Sequence, residues 1–317
     1  MNSLTIVRIM KRAMKTNSSI LKGSLFIILA ACCYGMLGTF VKMAYRDGYD
    51  TAEVTISQFS LGFITLLMLN LIIKKKGVIT GSRNNSLKSY AKVIVAGSSL
   101  GFTSIFYYMT VKYVSVSIGI VLLVQAIWMS LVLEMIQSRK RPEFLKVLAI
   151  IIILLGTIMA TNVFHEDSQI NWKGIGWGIS AAISYTATMY SSNHVGLEFH
   201  PLNRSFLMIC GGFFIVLLVY FPAFLEGFSF DIFLSWGLLI ALFGTILPPI
   251  LFTKGMPMTG MGLGAIFTSL EIPVSIVFAH FLLNEQVAFI QWIGVCFILL
   301  AIVLKNLIIL SYKSRES

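Results

Sequence analysis

The chain has 317 residues, 57% of them hydrophobic and only 12% charged, with a formal net charge of +11. A water-soluble domain of this length needs more charge to cover its surface, so the surplus apolar residues require lipid as their solvent. The positive charge suggests a nucleic-acid partner only if it is not confined to short loops between apolar runs, the pattern membrane proteins show.

Residues 1–20 are basic (Arg8, Lys11, Arg12, Lys15) and lead into an apolar run without a small-x-small cleavage site, which reads as a cytoplasmic segment before an uncleaved first span. About 20 apolar residues cross a bilayer as a helix. Runs of that kind fall at 21–45, 51–73, 90–111, 115–137, 144–163, 173–195, 203–225, 233–254, 261–283 and 288–311, followed by a tail at 312–317. With the N-terminus in the cytoplasm, all but four of the 24 Lys and Arg residues lie on the cytoplasmic side, the exceptions being Lys42, Arg46, Lys112 and Lys173. That bias supports an even number of spans with both termini inside, and it removes the nucleic-acid reading.

The halves repeat. "KGSLFIILAACCY" from Lys22 and "KGIGWGISAAISY" from Lys173 share Lys, Gly, Ile, Ala, Ala and Tyr at the same offsets. Gly119, Ile127, Ser130 and Val132 match Gly264, Ile272, Ser275 and Val277 in the same order. The expected fold is therefore an all-α integral membrane protein of ten transmembrane helices in two inverted five-helix repeats, 21–163 and 173–311. Five is odd, so the second copy is inserted upside down, as in carriers whose halves exchange inward-open and outward-open shapes around a central site.

Polar residues deep in the spans mark that site. Glu271 lies in the middle of span nine, where an acidic side chain costs about 2.5–3.5 kcal/mol on insertion scales and faces a partner or a cavity. It is read either as a substrate or proton-coupling group or as a carboxyl that holds a neighbouring helix. Gln125 falls within one residue of its repeat equivalent, and Trp128 matches Pro273. Tyr34 and Tyr185 are repeat equivalents, and Thr188 shares a helix face with Tyr185. Pro273, Pro248 and Pro249 each remove a backbone donor and are candidate kinks or hinges. Tyr107 and Tyr108 read as interfacial aromatics, and Glu134 as a snorkelling or ion-paired group near Arg139 and Lys140. Gly97–Gly101, Gly174–Gly178 and Gly260–Gly264 have the GxxxG spacing of close helix packing. Cys32, Cys33, Cys210 and Cys296 lie in apolar runs and read as small hydrophobes, so no metal and no cofactor is expected. No phosphate-cradling loop, HExxH or GxSxG appears, and no catalytic residue is assigned.

The stretch "GLGAIFTSLEIPVSIVFAHFLLNEQVAFIQWIGVCFILLAIVL" carries a small-residue-rich helix, a central Pro, a terminal acid and a Gly-entered helix at Gly264, Pro273, Glu285 and Gly294. With two five-span repeats over about residues 22–308, it resembles the EamA family of the drug/metabolite transporter superfamily. Tyr34-Gly35 matches an aromatic-Gly pair of that family. Trp128 stands where a Pro is expected, Lys140 near an expected Glu, and Gln58 where an Arg is common. The resemblance implies a secondary transporter of small metabolites in a bacterial inner membrane, with amino-acid export the leading activity. Its partners would be a small-molecule substrate, membrane lipid and a coupling proton, in a monomer or homodimer. A membrane-embedded enzyme or lipid-handling protein, or a non-transporting receptor, are the alternatives from the residues alone.

Overall fold

The computed structural model describes residues 3–76, 86–139, 143–161, 171–284, 286 and 288–301, and the regular structure within them is helical. In the first half α1 is Ser3–Arg46, α2 Thr51–Lys75, α3 Leu87–Tyr113, α4 Val116–Val124, α5 Ala126–Ser138 and α6 Phe144–Thr161. In the second, α7 is Trp172–His194, α8 Pro201–Gly227, α9 Gly237–Ala241, α10 Leu247–Thr259, α11 Met261–Thr268, α12 Glu271–Leu283, and α13 Phe289–Ala301. Among the described residues, seven helical stretches are long and apolar enough to cross a membrane. The shorter Phe144–Met159 and Phe289–Ala301 are also apolar, while α7 has the length of a span but a sequence rich in Gly, Ser and Thr.

Local chemistry sets the ends. Asp50 caps α2 in a reciprocal box with Glu53, whose second oxygen accepts from the Ser229 amide at 2.8 Å. Ser86, Ser115 and Asn171 cap α3, α4 and α7 with their side chains. The left-handed residues Arg139 (φ 52°) and Asn284 (φ 56°) end α5 and α12, and they stand at the same repeat offset as Gly119 and Gly264.

Three of the expected spans are broken, two of them at the prolines read as candidate kinks. Pro248 and Pro249 cannot donate to Gly244 and Thr245, and the chain passes through a π turn at Leu242–Ile246 between α9 and α10. Pro273 cannot donate to Ser269, whose carbonyl instead takes the Ile272 amide at 3.1 Å, and α11 parts from α12 at Ser269–Leu270. The first half breaks at the corresponding place, at Gln125 between α4 and α5, with no proline present.

The halves interlock. The first helix of each packs on the third of the other, α1 on α10 and α7 on α3, and α2 lies along α8. Glycines bring backbones together at α3–α8: a Cβ at Gly97 would overlap Met208, and one at Gly211 would overlap the Ile94 carbonyl. Gly174 and Gly178 face Val114 and Leu122 as close-packing residues. Gly260 does not pack. It caps α11 with φ +82° and open space around it, so the GxxxG reading fails there. Large apolar side chains such as Met68, Val95, Ile136, Leu218 and Phe281 point outward, the surface a lipid solvent requires.

Arg204, expected in the cytoplasmic loop charge, is instead 2% exposed. Its Nη2 donates to the Ser192 carbonyl in the last turn of α7 (2.5 Å) and to Thr253 O in α10 (2.6 Å). Thr253 O has no helical donor because Pro257 stands four residues on. One guanidinium thus satisfies two carbonyls that their own helices leave open. Arg204→Ala is expected to lower the thermal midpoint in detergent, by a loss on the order of 1.5–3 kcal/mol for buried bonds to a charged group. A midpoint within error of the wild type would show the clasp to be dispensable.

Candidate functional site

A cavity with about 500 Å³ of space between atoms, part of it open, lies between the halves. Its wall comes from Tyr34 and Leu37 of α1, Phe59 of α2, Leu100, Thr103, Ser104, Tyr107 and Tyr108 of α3, Leu123 of α4, Tyr185 of α7, Gly244 and Thr245 of the π turn, and Glu271 of α12. Along their helices these residues occupy the middle and the end of the bundle that holds the C-terminus of α1 and the N-terminus of α2. At the opposite end Gly23 meets Gly255, each leaving no room for a Cβ.

Glu271 is 1% exposed. It opens α12 directly after the break, so the bend caused by Pro273 places its carboxyl on the cavity wall rather than along a helix seam. The Tyr185 hydroxyl donates to Glu271 Oε1. Tyr34 meets Tyr185 edge-on, with ring centroids 6.1 Å apart, and stacks on Phe252 at 5.6 Å. Gly35 allows the approach of α12 to α1: a Cβ there would lie 2.7 Å from the Glu271 carbonyl. The structure therefore brings Tyr34, Tyr185 and Glu271 together. Thr188 is buried beside the cavity, donating to Ser99 Oγ at 2.9 Å and lying 3.5 Å from Thr103 Oγ1, without reaching the wall.

Gln125 and Trp128 lie elsewhere. Trp128 Nε1 donates to Gln125 Oε1 at 2.9 Å, Gln125 Nε2 donates to Val121 O at 3.1 Å, and Trp128 is 39% exposed. The repeat equivalence is real in the backbone, since both helices break there. The side chains at that break point differently because residue 126, the match of Glu271, is alanine. Pro273, Pro248 and Pro249 sit at breaks, as a kink requires. Glu134 pairs with Lys146 (3.3 Å) rather than Arg139; Lys140 and Glu285 lie outside the described residues.

Tyr107 and Tyr108 are not interfacial. Both are buried and line the cavity. Thr103, Ser104, Tyr107 and Tyr108 recur at helical spacing on one face of α3, a hydroxyl stripe that Leu100 extends by one turn and that is legible in the sequence. Gln58 accepts the Tyr108 hydroxyl, and its Nε2 presses on the backbone of Gly244, where a Cβ would overlap it. Thr245 Oγ1 ties the π turn to Gln58 O at 2.9 Å. Among the described residues, Tyr107 Oη and Gln58 Nε2 are buried without a hydrogen-bond partner, and such groups are the exception in folded proteins.

Residues 21–162 and 172–307 each match the model of the EamA-like transporter family. No curated protein sequence matches the chain. A solved crystal structure of a protein 11% identical in sequence superimposes with a TM-score of 0.66, over 88% of this chain and 96% of that one. At that identity the likeness is one of fold.

Proposed function

The chain belongs to the EamA-like transporter family, and on that premise we propose that it is a secondary active carrier moving a small metabolite by alternating access. Amino acids and related compounds are the leading substrate class, and export the leading direction. The reading places ten spans in a bacterial inner membrane with both termini in the cytoplasm, consistent with the loop charge. The observation that carries it is Glu271, a buried carboxyl on the wall of a cavity shared by two interlocked halves. Such a group can meet a substrate ammonium or hand a proton across, whichever half of the cycle exposes it. Tyr34 and Tyr185 hold it between the halves, and Thr188 supports the α3–α7 contact behind it.

The test is flux by the purified protein in liposomes against a panel of metabolites, with and without an imposed pH gradient. Saturable, vectorial movement of at least one compound is expected; chemical turnover without movement would favour an enzyme instead. Trp128→Phe provides a contrast. With its side chain half out of the bundle, it is expected to change flux by no more than about twofold, as for substitutions away from buried features. A loss as deep as that at the cavity wall would bring α5 back into the site.

A further inference from the structure

The charge balance of the cavity narrows the substrate. Among the described residues Glu271 is the one acidic side chain on its wall, and no Lys, Arg or His lines it. The buried guanidinium of Arg204 is not on the wall and gives its Nη2 to the Ser192 and Thr253 carbonyls. The rest of the described wall is uncharged, with five aromatic rings, Phe59, Tyr34, Tyr107, Tyr108 and Tyr185, among leucines, glycine and small hydroxyl side chains. Ring faces attract cations and repel anions. A carboxylate in a water-poor site is stabilised by an opposite charge and destabilised by a like one.

We propose that the cavity takes a monovalent organic cation with an aryl or alkyl body and discriminates against molecules that keep a free carboxylate. This deepens the carrier reading and rests on it: within amino acids and related compounds, the preferred forms are those with the acid absent or masked, such as amines, amides and esters. The ammonium meets Glu271, whose other face is held by Tyr185, and the body packs on the tyrosines. The buried, unpartnered hydroxyl of Tyr107 accepts an ammonium N–H or meets a polar substituent, which explains why it is left open by the protein. A zwitterion also brings a carboxylate, for which the wall holds neutral hydroxyls but no cation.

Isothermal titration of the detergent-purified protein with 2-phenylethylammonium, phenylalanine and 3-phenylpropanoate separates the charge types on one aromatic body. The cation is expected to bind at least about tenfold tighter than either carboxylate, a difference of about 1.4 kcal/mol. In Glu271→Gln that preference is expected to vanish, with size-exclusion and thermal profiles as the check of folding. Equal or tighter binding of phenylalanine overturns the proposal. So does absence of all three if a metabolite panel still shows carrier flux, in which case the carrier reading stands. If no compound moves in that panel either, both readings fall together.

Discussion

Glu271→Gln is expected to cut carrier flux in liposomes by about 10–100-fold, the equivalent of losing a hydrogen bond to a charged group at about 1.5–3 kcal/mol. The variant is close to isosteric. The amide oxygen still accepts from Tyr185, whose hydroxyl donates to Oε1 in the wild type, so the contact between α7 and α12 survives. What disappears is the capacity to take up and release a proton, and with it the carboxylate form. Any dependence of flux on an imposed pH gradient should therefore disappear with it. Thermal unfolding in detergent should be nearly unchanged, which separates the effect from misfolding. If flux and its pH dependence both match the wild type, Glu271 is a structural carboxyl and the assigned role is wrong.

The second large effect lies at the seam between α3 and α8. Gly211→Ala puts a methyl group into the Ile94 carbonyl, with the Ser98 amide nitrogen 3.1 Å away. Both obstacles are backbone, so no rotamer change relieves the clash and α3 must move off α8. Overpacking of this kind costs about 1–3 kcal/mol or more, and the thermal midpoint should fall by several degrees. Gly176→Ala is the matched control. Its Cβ meets nothing within 4 Å, and alanine is the better helix former by roughly 0.8–1 kcal/mol. The midpoint should hold or rise. Equal falls for both variants would show that the glycines matter for some reason other than close approach.

Much of the architecture was legible because lipid imposes simple rules. Span length, loop charge and the matched "KGSLFIILAACCY" and "KGIGWGISAAISY" segments announced a helical bundle in two related halves. Glu271, Tyr34 and Tyr185 could be found because a polar residue in the middle of an apolar run is conspicuous. The misses share a physical cause. Nearness to a span end suggests an interfacial place for Tyr107 and Tyr108, whereas the packing of α3 against α7 and α8 decides what they face. Register with Glu271 puts Gln125 within one residue of the site, but a one-residue offset turns a helical side chain by about 100°. Arg204 was counted as loop charge because nothing in its neighbourhood announces that Pro257, far along the chain, strips Thr253 O of its donor.

The paired breaks, one with a proline and one without, make the two halves mechanically unequal. In α11–α12 the missing donor is covalent: Pro273 can never offer Ser269 an N–H, so no rearrangement restores that rung of the ladder. In α4–α5 residue 128 is tryptophan and keeps its N–H, and the bend there is held by packing and by the Gln125 side chain bonded back to Val121 O. Of the two breaks, only the first-half one keeps the backbone N–H at this position that a continuous helix would need there. Two halves that match one family model thus differ in whether their central helix could ever close into an unbroken one.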